Sequence, residues 1–275
     1  MDFWRDYLKR SCYDRHDCIS PLVRNLKITQ KRIGQGGFVD VYLARDGKKE
    51  YAIRIAPSKS LENLRTQIRI KENLWTNIRL FQARPFVRLE EVIGNSSNVI
   101  SIMEYFNGTN VHKEKHKRMK WDKDLRKKVF ITYAEMLASL HEKDYLFLDN
   151  SWANVLFNEK EVTVCDYDFV SKIDDLNHGQ FTGIFTRIYA SREQILCDEF
   201  SPSSDLEAFA LMIEDIFNFE SFIDEKYRIN ATKNLRKYPK NRERRLPKEL
   251  RDLVSPLLNY PKDRSIRIND FLSVL

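Results

Sequence analysis

The 275-residue sequence is short of the residues that build linkers and cross-links: it holds 8 glycines, 8 prolines and 4 cysteines. So few Gly and Pro exclude a collagen-like, elastic or linker-dominated chain. Cys12, Cys18, Cys165 and Cys197 form no CxxC pair and no zinc-ligand spacing. A disulfide scaffold would be shorter and richer in cysteine, so these are expected as reduced thiols. The histidines do not cluster; His112 and His116 share helical spacing but lie in a lysine-rich run that would repel a metal ion. No apolar run approaches the length that spans a bilayer, and Met1–Asp6 lacks the apolar core of a signal peptide. No repeat or low-complexity stretch occurs. The expected location is cytoplasm or nucleus, with no membrane partner.

What is present is a globular composition: 42% apolar, 32% charged and 12% aromatic residues. The length suits one large domain or one unit of two lobes. The net charge of +7 is uneven. Residues 113–128 hold nine Lys/Arg against three Asp/Glu, and residues 225–251 hold eleven against three. The remainder is net negative. Such runs form solvated faces or attract an acidic protein, with nucleic acid as a less favoured partner.

Residues 1–24 mix charges and aromatics and predict an N-terminal helical extension. Strand-like runs follow at 26–30, 39–43 and 51–55, separated by a glycine cluster and by Asp46-Gly47, a hairpin signal. A helix is predicted over 61–80 and strands return from Phe86 to Phe106. Beyond Gly108 helices dominate. Val129, Phe130, Tyr133, Met136, Leu137 and Leu140 form a stripe of helical period. A short strand region is expected over 155–169, with helices at Leu206–Phe217, Pro247–Leu258 and Asn269–Leu275. This is an α+β pattern: a β-rich half (25–106), then a larger helical half (107–275), with a ligand cleft expected between them.

Two motifs carry chemistry. In Ile33-Gly34-Gln35-Gly36-Gly37-Phe38, glycines between strands let backbone N–H groups approach phosphates. Tyr51-Ala52-Ile53-Arg54 then places a cation on the third strand. The stronger signal is Asp149-Asn150-Ser151-Trp152-Ala153-Asn154, with Asp166 at a later strand end. Asp149 is suited to accept a hydroxyl proton. Asn154 and Asp166 offer the oxygen ligands that Mg²⁺ prefers.

With these residues in order, the chain resembles the protein kinase superfamily over about residues 26–275. The resemblance implies a bilobal fold, with ATP and Mg²⁺ as cofactors and a protein substrate. Gly34, Gly36 and Gly37 match the glycine-rich loop. Val41, Ala52, Met103, Glu104, Phe106 and Leu156 match the adenine pocket and hinge. Asp149 matches the catalytic base, Asn154 and Asp166 the metal ligands, and Thr186 the threonine of serine/threonine-specific kinases. Glu193 would pair with Arg264, and Asp205 would cap the catalytic-loop backbone. Ser204–Phe209 is similar to casein-kinase-1-like proteins.

The chain departs from the pattern on its cationic side. Arg54 replaces the phosphate-binding lysine, Gln67 stands where its glutamate partner is expected (with Glu62 or Glu72 in another register), and Ser151 replaces the catalytic-loop lysine. Arg187 is a candidate replacement cation. Leu148 removes the arginine that reads activation-loop phosphorylation, so activity is expected to need none. These changes leave two functions open: a divergent serine/threonine kinase, or a pseudokinase that binds nucleotide or scaffolds a partner.

Overall fold

A computed structural model describes residues 22, 25–35, 39–57, 74, 78–82, 84–94, 98–114, 123–180, 185–217, 246–259 and 262–275. The chain divides between Asn107 and Gly108 into two compact units. The predicted extension over 1–24 and most of the predicted helix over 61–80 lie outside the described residues. So do Gly36, Gly37 and Gln67, both alternative glutamates, half of the run 113–128 and most of the run 225–251.

The first unit is a five-stranded antiparallel sheet: β1 (Lys27–Gln35), β2 (Asp40–Asp46), β3 (Lys49–Pro57), β4 (Leu89–Gly94) and β5 (Asn98–Glu104), in the order β1-β2-β3-β5-β4. Gly47, at φ 59°, makes the tight β2–β3 turn that Asp46-Gly47 predicts. The period of two along β3 sorts its residues. Tyr51, Ile53 and Ile55 point into a core with Leu26, Ala44, Ile93, Ile100 and Ile102. Ala52 and Arg54 take the opposite face.

The second unit is mainly helical. Its helices are α1 (Val111–Glu114), α2 (Lys123–His141), α3 (Ile173–Asp175), α4 (Arg192–Leu196), α5 (Pro202–Phe217), α6 (Lys248–Leu258) and α7 (Ile268–Val274). The stripe read from the sequence is the buried face of α2. Around it lies an aromatic core: Tyr133 is 5.3 Å from Phe209, Phe209 is 5.3 Å from Phe271, and Phe130 is 5.8 Å from Trp152. Helix α5 starts at Pro202, four residues before the predicted Leu206, because proline suits a helix's first turn. Small sheets complete the unit: β6 (Thr109–Asn110), β8 (Val155–Phe157) and β9 (Val162–Val164) form one, and β7 (Tyr145–Leu146) with β10 (Ser171–Lys172) forms another. Thus 155–169 contains two short strands joined by a turn. The molecule has the α+β, two-lobed architecture expected. Among the described residues no helix is long and apolar enough to cross a membrane.

Candidate active site

The loop from Phe147 to Asn154 owes its shape to buried polar groups. Asp205, near the start of α5, is 1% exposed and accepts four donors. Oδ2 takes the Phe147 N–H at 2.8 Å and lies 3.1 Å from His141 Nε2. Oδ1 takes the Leu148 N–H at 3.1 Å and Asn150 Nδ2 at 2.7 Å. Asp205 therefore caps the loop backbone as the resemblance implied. Asn150 Oδ1 in turn accepts from the Tyr133 hydroxyl at 2.7 Å. Burial holds the Tyr133 hydroxyl well above its ordinary pKa, reinforced by the Asp205 and Asp149 carboxylates, so it stays a neutral donor. Trp152 pins the loop's far end, with its indole N–H 2.8 Å from the Met212 carbonyl.

These anchors present Asp149 between two partners. Its Oδ1 accepts the Thr186 N–H at 2.9 Å and the Thr186 hydroxyl at 2.7 Å. Its Oδ2 accepts Asn154 Nδ2 at 3.2 Å, and that same amide donates to the Asp149 carbonyl at 2.8 Å. Burial raises the Asp149 pKa above the ordinary aspartate value; hydrogen bonds from Thr186 and Asn154 oppose the rise, while the Asp168 carboxylate adds to it. Leu148, immediately before Asp149, has φ 64°. A left-handed conformation costs a non-glycine residue about 1–2 kcal/mol, so the surrounding bonds must hold it there.

The β8–β9 pairing brings the two candidate metal ligands into adjacent positions. Val155 pairs with Val164, and the Cys165 N–H donates to the Asn154 carbonyl at 2.8 Å. Asp166 follows at φ 61°. Because Asn154 spends its amide hydrogens on Asp149, its oxygen is the end that can accept a cation. An amide oxygen and a carboxylate are hard donors, and they fit Mg²⁺. Among the described residues no group of three or more His, Cys, Asp or Glu side chains could hold a metal ion. A cation at these two ligands would complete its shell with phosphate and water oxygens.

The first unit gathers four of its candidates on one sheet face. Arg54 pairs with Val41 on β2 and Ser101 on β5, while Ala52 pairs with Leu43 and Met103. Directly paired residues share a face, so Val41, Ala52, Arg54 and Met103 lie together. Arg54 is buried, at 7% exposure. Gly34 pairs with Val41, and a Cβ there would come within 3.4 Å of the Val41 side chain. Glu104 points to the other face, opposite Tyr51, and its carboxylate meets Arg84 at 3.1 Å. The Phe106 side chain is half-buried, as is Leu156, which lies on β8 of the second unit.

Three features depart from the sequence reading or escape it. Glu193 pairs with the expected Arg264 at 3.8 Å through a half-exposed side chain, but it meets Lys262, which the sequence did not mark, more closely at 2.5 Å. Lys262 is buried, also bonds Glu207 at 3.1 Å, and is the main counter-charge of this cluster. Its position two residues before Arg264 gave no hint of which cation turns inward. Ser151 is buried and caps the short helix Trp152–Asn154, accepting the Ala153 N–H at 3.2 Å. A lysine could not take that place without opening the cap. Finally, Asn150, Tyr133 and Gln194 hold the loop in ways the sequence did not mark, except that a buried asparagine requires partners.

The family model described as the protein kinase domain matches residues 28–273. Similar proteins include human serine/threonine-protein kinase ULK3, 26% identical over 267 residues, which cover 90% of this chain and 53% of that protein. A probable serine/threonine-protein kinase of Dictyostelium discoideum is 23% identical over 87% of this chain and 59% of its own length. Mouse Aurora kinase C is 22% identical over 84% of each chain. The chain thus spans little more than half the length of the first two relatives. With nearly its whole length matched by the domain model, the chain belongs to the protein kinase family.

Proposed function

We propose that this chain transfers the terminal phosphoryl group of ATP to a serine or threonine hydroxyl of a protein substrate. The observation that carries this reading is the Asp149 carboxylate, fixed on one oxygen by Thr186 and on the other by Asn154. A carboxylate so oriented can align an acceptor hydroxyl and take its proton as the new phosphate ester bond forms and ADP leaves. Its raised pKa brings it nearer the pH at which a base is most effective. Mg²⁺, held by Asn154 and Asp166, would supply charge neutralisation at the phosphates. Arg54, buried on the sheet face with Val41, Ala52 and Met103, would add a fixed positive charge. Gly34, Gly36 and Gly37 would offer backbone N–H groups, while Glu104 and Phe106 at the hinge and Leu156 on β8 would bound the adenine.

One observation favours a second reading, a nucleotide-binding pseudokinase that regulates a partner. Ser151 is built into a helix cap, so the catalytic loop contributes no cation there. In either role, the basic runs 113–128 and 225–251 would recruit an acidic protein. Exposed Lys123, Lys127 and Lys128 on the first turns of α2 support this.

The test is phosphotransfer from labelled ATP·Mg²⁺ to a generic protein acceptor, beside Asp149→Asn. The kinase reading expects transfer that falls at least about 10²-fold in the variant. Thermal stabilisation by ATP·Mg²⁺ without transfer would replace it with the pseudokinase reading.

A further inference from the structure

Leu148, the left-handed residue before Asp149, is held at both backbone groups. Its N–H donates to Asp205 at 3.1 Å, and its carbonyl accepts Gln194 Nε2 at 2.9 Å. Gln194 is 2% exposed and sits in the first turn of α4. At its other end, Oε1 accepts the Ser191 N–H at 2.9 Å, while the Gln194 N–H returns to Ser191 Oγ at 3.3 Å. These last two bonds form a capping box, in which glutamate serves as well as glutamine. The cap alone does not require an amide. An amide is required because one end must accept from Ser191 while the other donates to Leu148.

We propose that Gln194 is a positioning residue that couples the start of α4 to the geometry of the base Asp149. The chain just before α4 already grips Asp149 through Thr186, so the stretch 186–196 holds the catalytic loop at two points: the Asp149 carboxylate and the Leu148 carbonyl. The capping box orders the Gln194 side chain only when α4 begins at Arg192. The strained peptide before Asp149 is therefore clamped only when this segment is in place. Displacing the segment releases the Leu148 carbonyl and lets φ relax, which turns the Asp149 carboxylate away. This coupling rests on reading Asp149 as the base, but the bond that transmits it does not.

Gln194→Glu separates the two jobs. A glutamate still accepts from Ser191, but once ionised it cannot donate to the Leu148 carbonyl. At mildly alkaline pH, kcat is expected to fall about 10–10²-fold, the scale of a small misplacement at a reacting centre. KM for ATP should stay within about twofold. The deficit relative to wild type should shrink as pH falls, because the protonated acid regains a donor. Gln194→Met, lacking both functions, should show a deficit that pH does not relieve. Wild-type kcat in Gln194→Glu would overturn the proposal, as would a deficit with the same pH dependence in both variants.

Amide hydrogen exchange on the full chain provides a readout independent of activity. Gln194→Glu should speed exchange at Leu148, Asp149 and Thr186 while Ile195, bonded to the Ser191 carbonyl, stays protected. Faster exchange confined to α4 would mean that Gln194 is a helix cap and nothing more. If wild type transfers no phosphate, the base reading fails, and these exchange rates still decide the coupling.

Discussion

On the base side of the candidate site, Asp149 has partners on both carboxylate oxygens within 3.2 Å, and Asp205 gathers four donors from the same loop and its surroundings. At the two positions where the resemblance implies lysines, the first unit carries Arg54 on its third strand and the second unit carries Ser151 as a helix cap. The two sides perform different physical tasks. Proton acceptance needs a carboxylate aimed at one atom, and a small misplacement costs orders of magnitude in rate. Charge neutralisation falls off only with the inverse of distance, so several groups can supply it from several places. A chain can therefore change its cations while keeping its base loop intact.

The strongest challenge to that contrast is Asp205→Asn. The amide nitrogen would replace one acceptor oxygen and face either the Phe147 and His141 donors or the Leu148 and Asn150 donors. Hydrogen bonds to a charged acceptor contribute about 1.5–3 kcal/mol each, so the loss of two should cost about 3 kcal/mol or more. Denaturant unfolding should show a lower midpoint, and phosphotransfer should fall with it. Stability within about 0.5 kcal/mol of wild type would show that the loop is held by its packing instead.

Arg54→Lys is expected to have a smaller effect. Lysine keeps the charge but loses the planar fork, and the position is closed in by Val41 and Ser101. We expect kcat/KM to fall about tenfold, with Arg54→Met falling about 10²–10³-fold. An Arg54→Lys variant faster than wild type would mean that the site tolerates arginine rather than depends on it. Steady-state kinetics at fixed Mg²⁺ decides.

Much of this contrast was legible in the chain. The five-residue spacing from Asp149 to Asn154 survives folding because a short helix turn brings the Asn154 amide back to the Asp149 carbonyl. The alternation along β3 was readable, and with the strand pairing it puts Val41, Ala52, Arg54 and Met103 on one face. What could not be read depended on burial and on distant partners. Lys262 and Arg264 are equivalent as letters, yet only Lys262 turns inward between Glu193 and Glu207. Asn150 resembles any loop asparagine until Tyr133 and Asp205 are found at its two ends. Gln194 resembles a capping residue, and only its second bond, to a carbonyl 46 residues away, shows another role. Hydrogen bonds with such sequence separations leave no periodic signal.

Thr186→Val should make the smallest change and the most specific one. It removes the hydroxyl bond at 2.7 Å but keeps shape and the backbone N–H bond at 2.9 Å. The hydroxyl bond lowers the Asp149 pKa against the rise caused by burial, so its loss must raise the value further. In its proposed role as base, Asp149 can take a proton only when ionised. The acid limb of the kcat/KM profile should therefore move to higher pH. Thr186→Ser should restore it. The stability linkage has the opposite sense. A raised pKa favours folding while Asp149 is protonated, and that contribution is lost as pH climbs through the folded-state value. Thr186→Val should consequently be penalised more at neutral pH, where Asp149 must stay ionised with one donor fewer, than in acid. An acid limb that stays in place would detach Thr186 from the base and leave Asn154 as the group that tunes it.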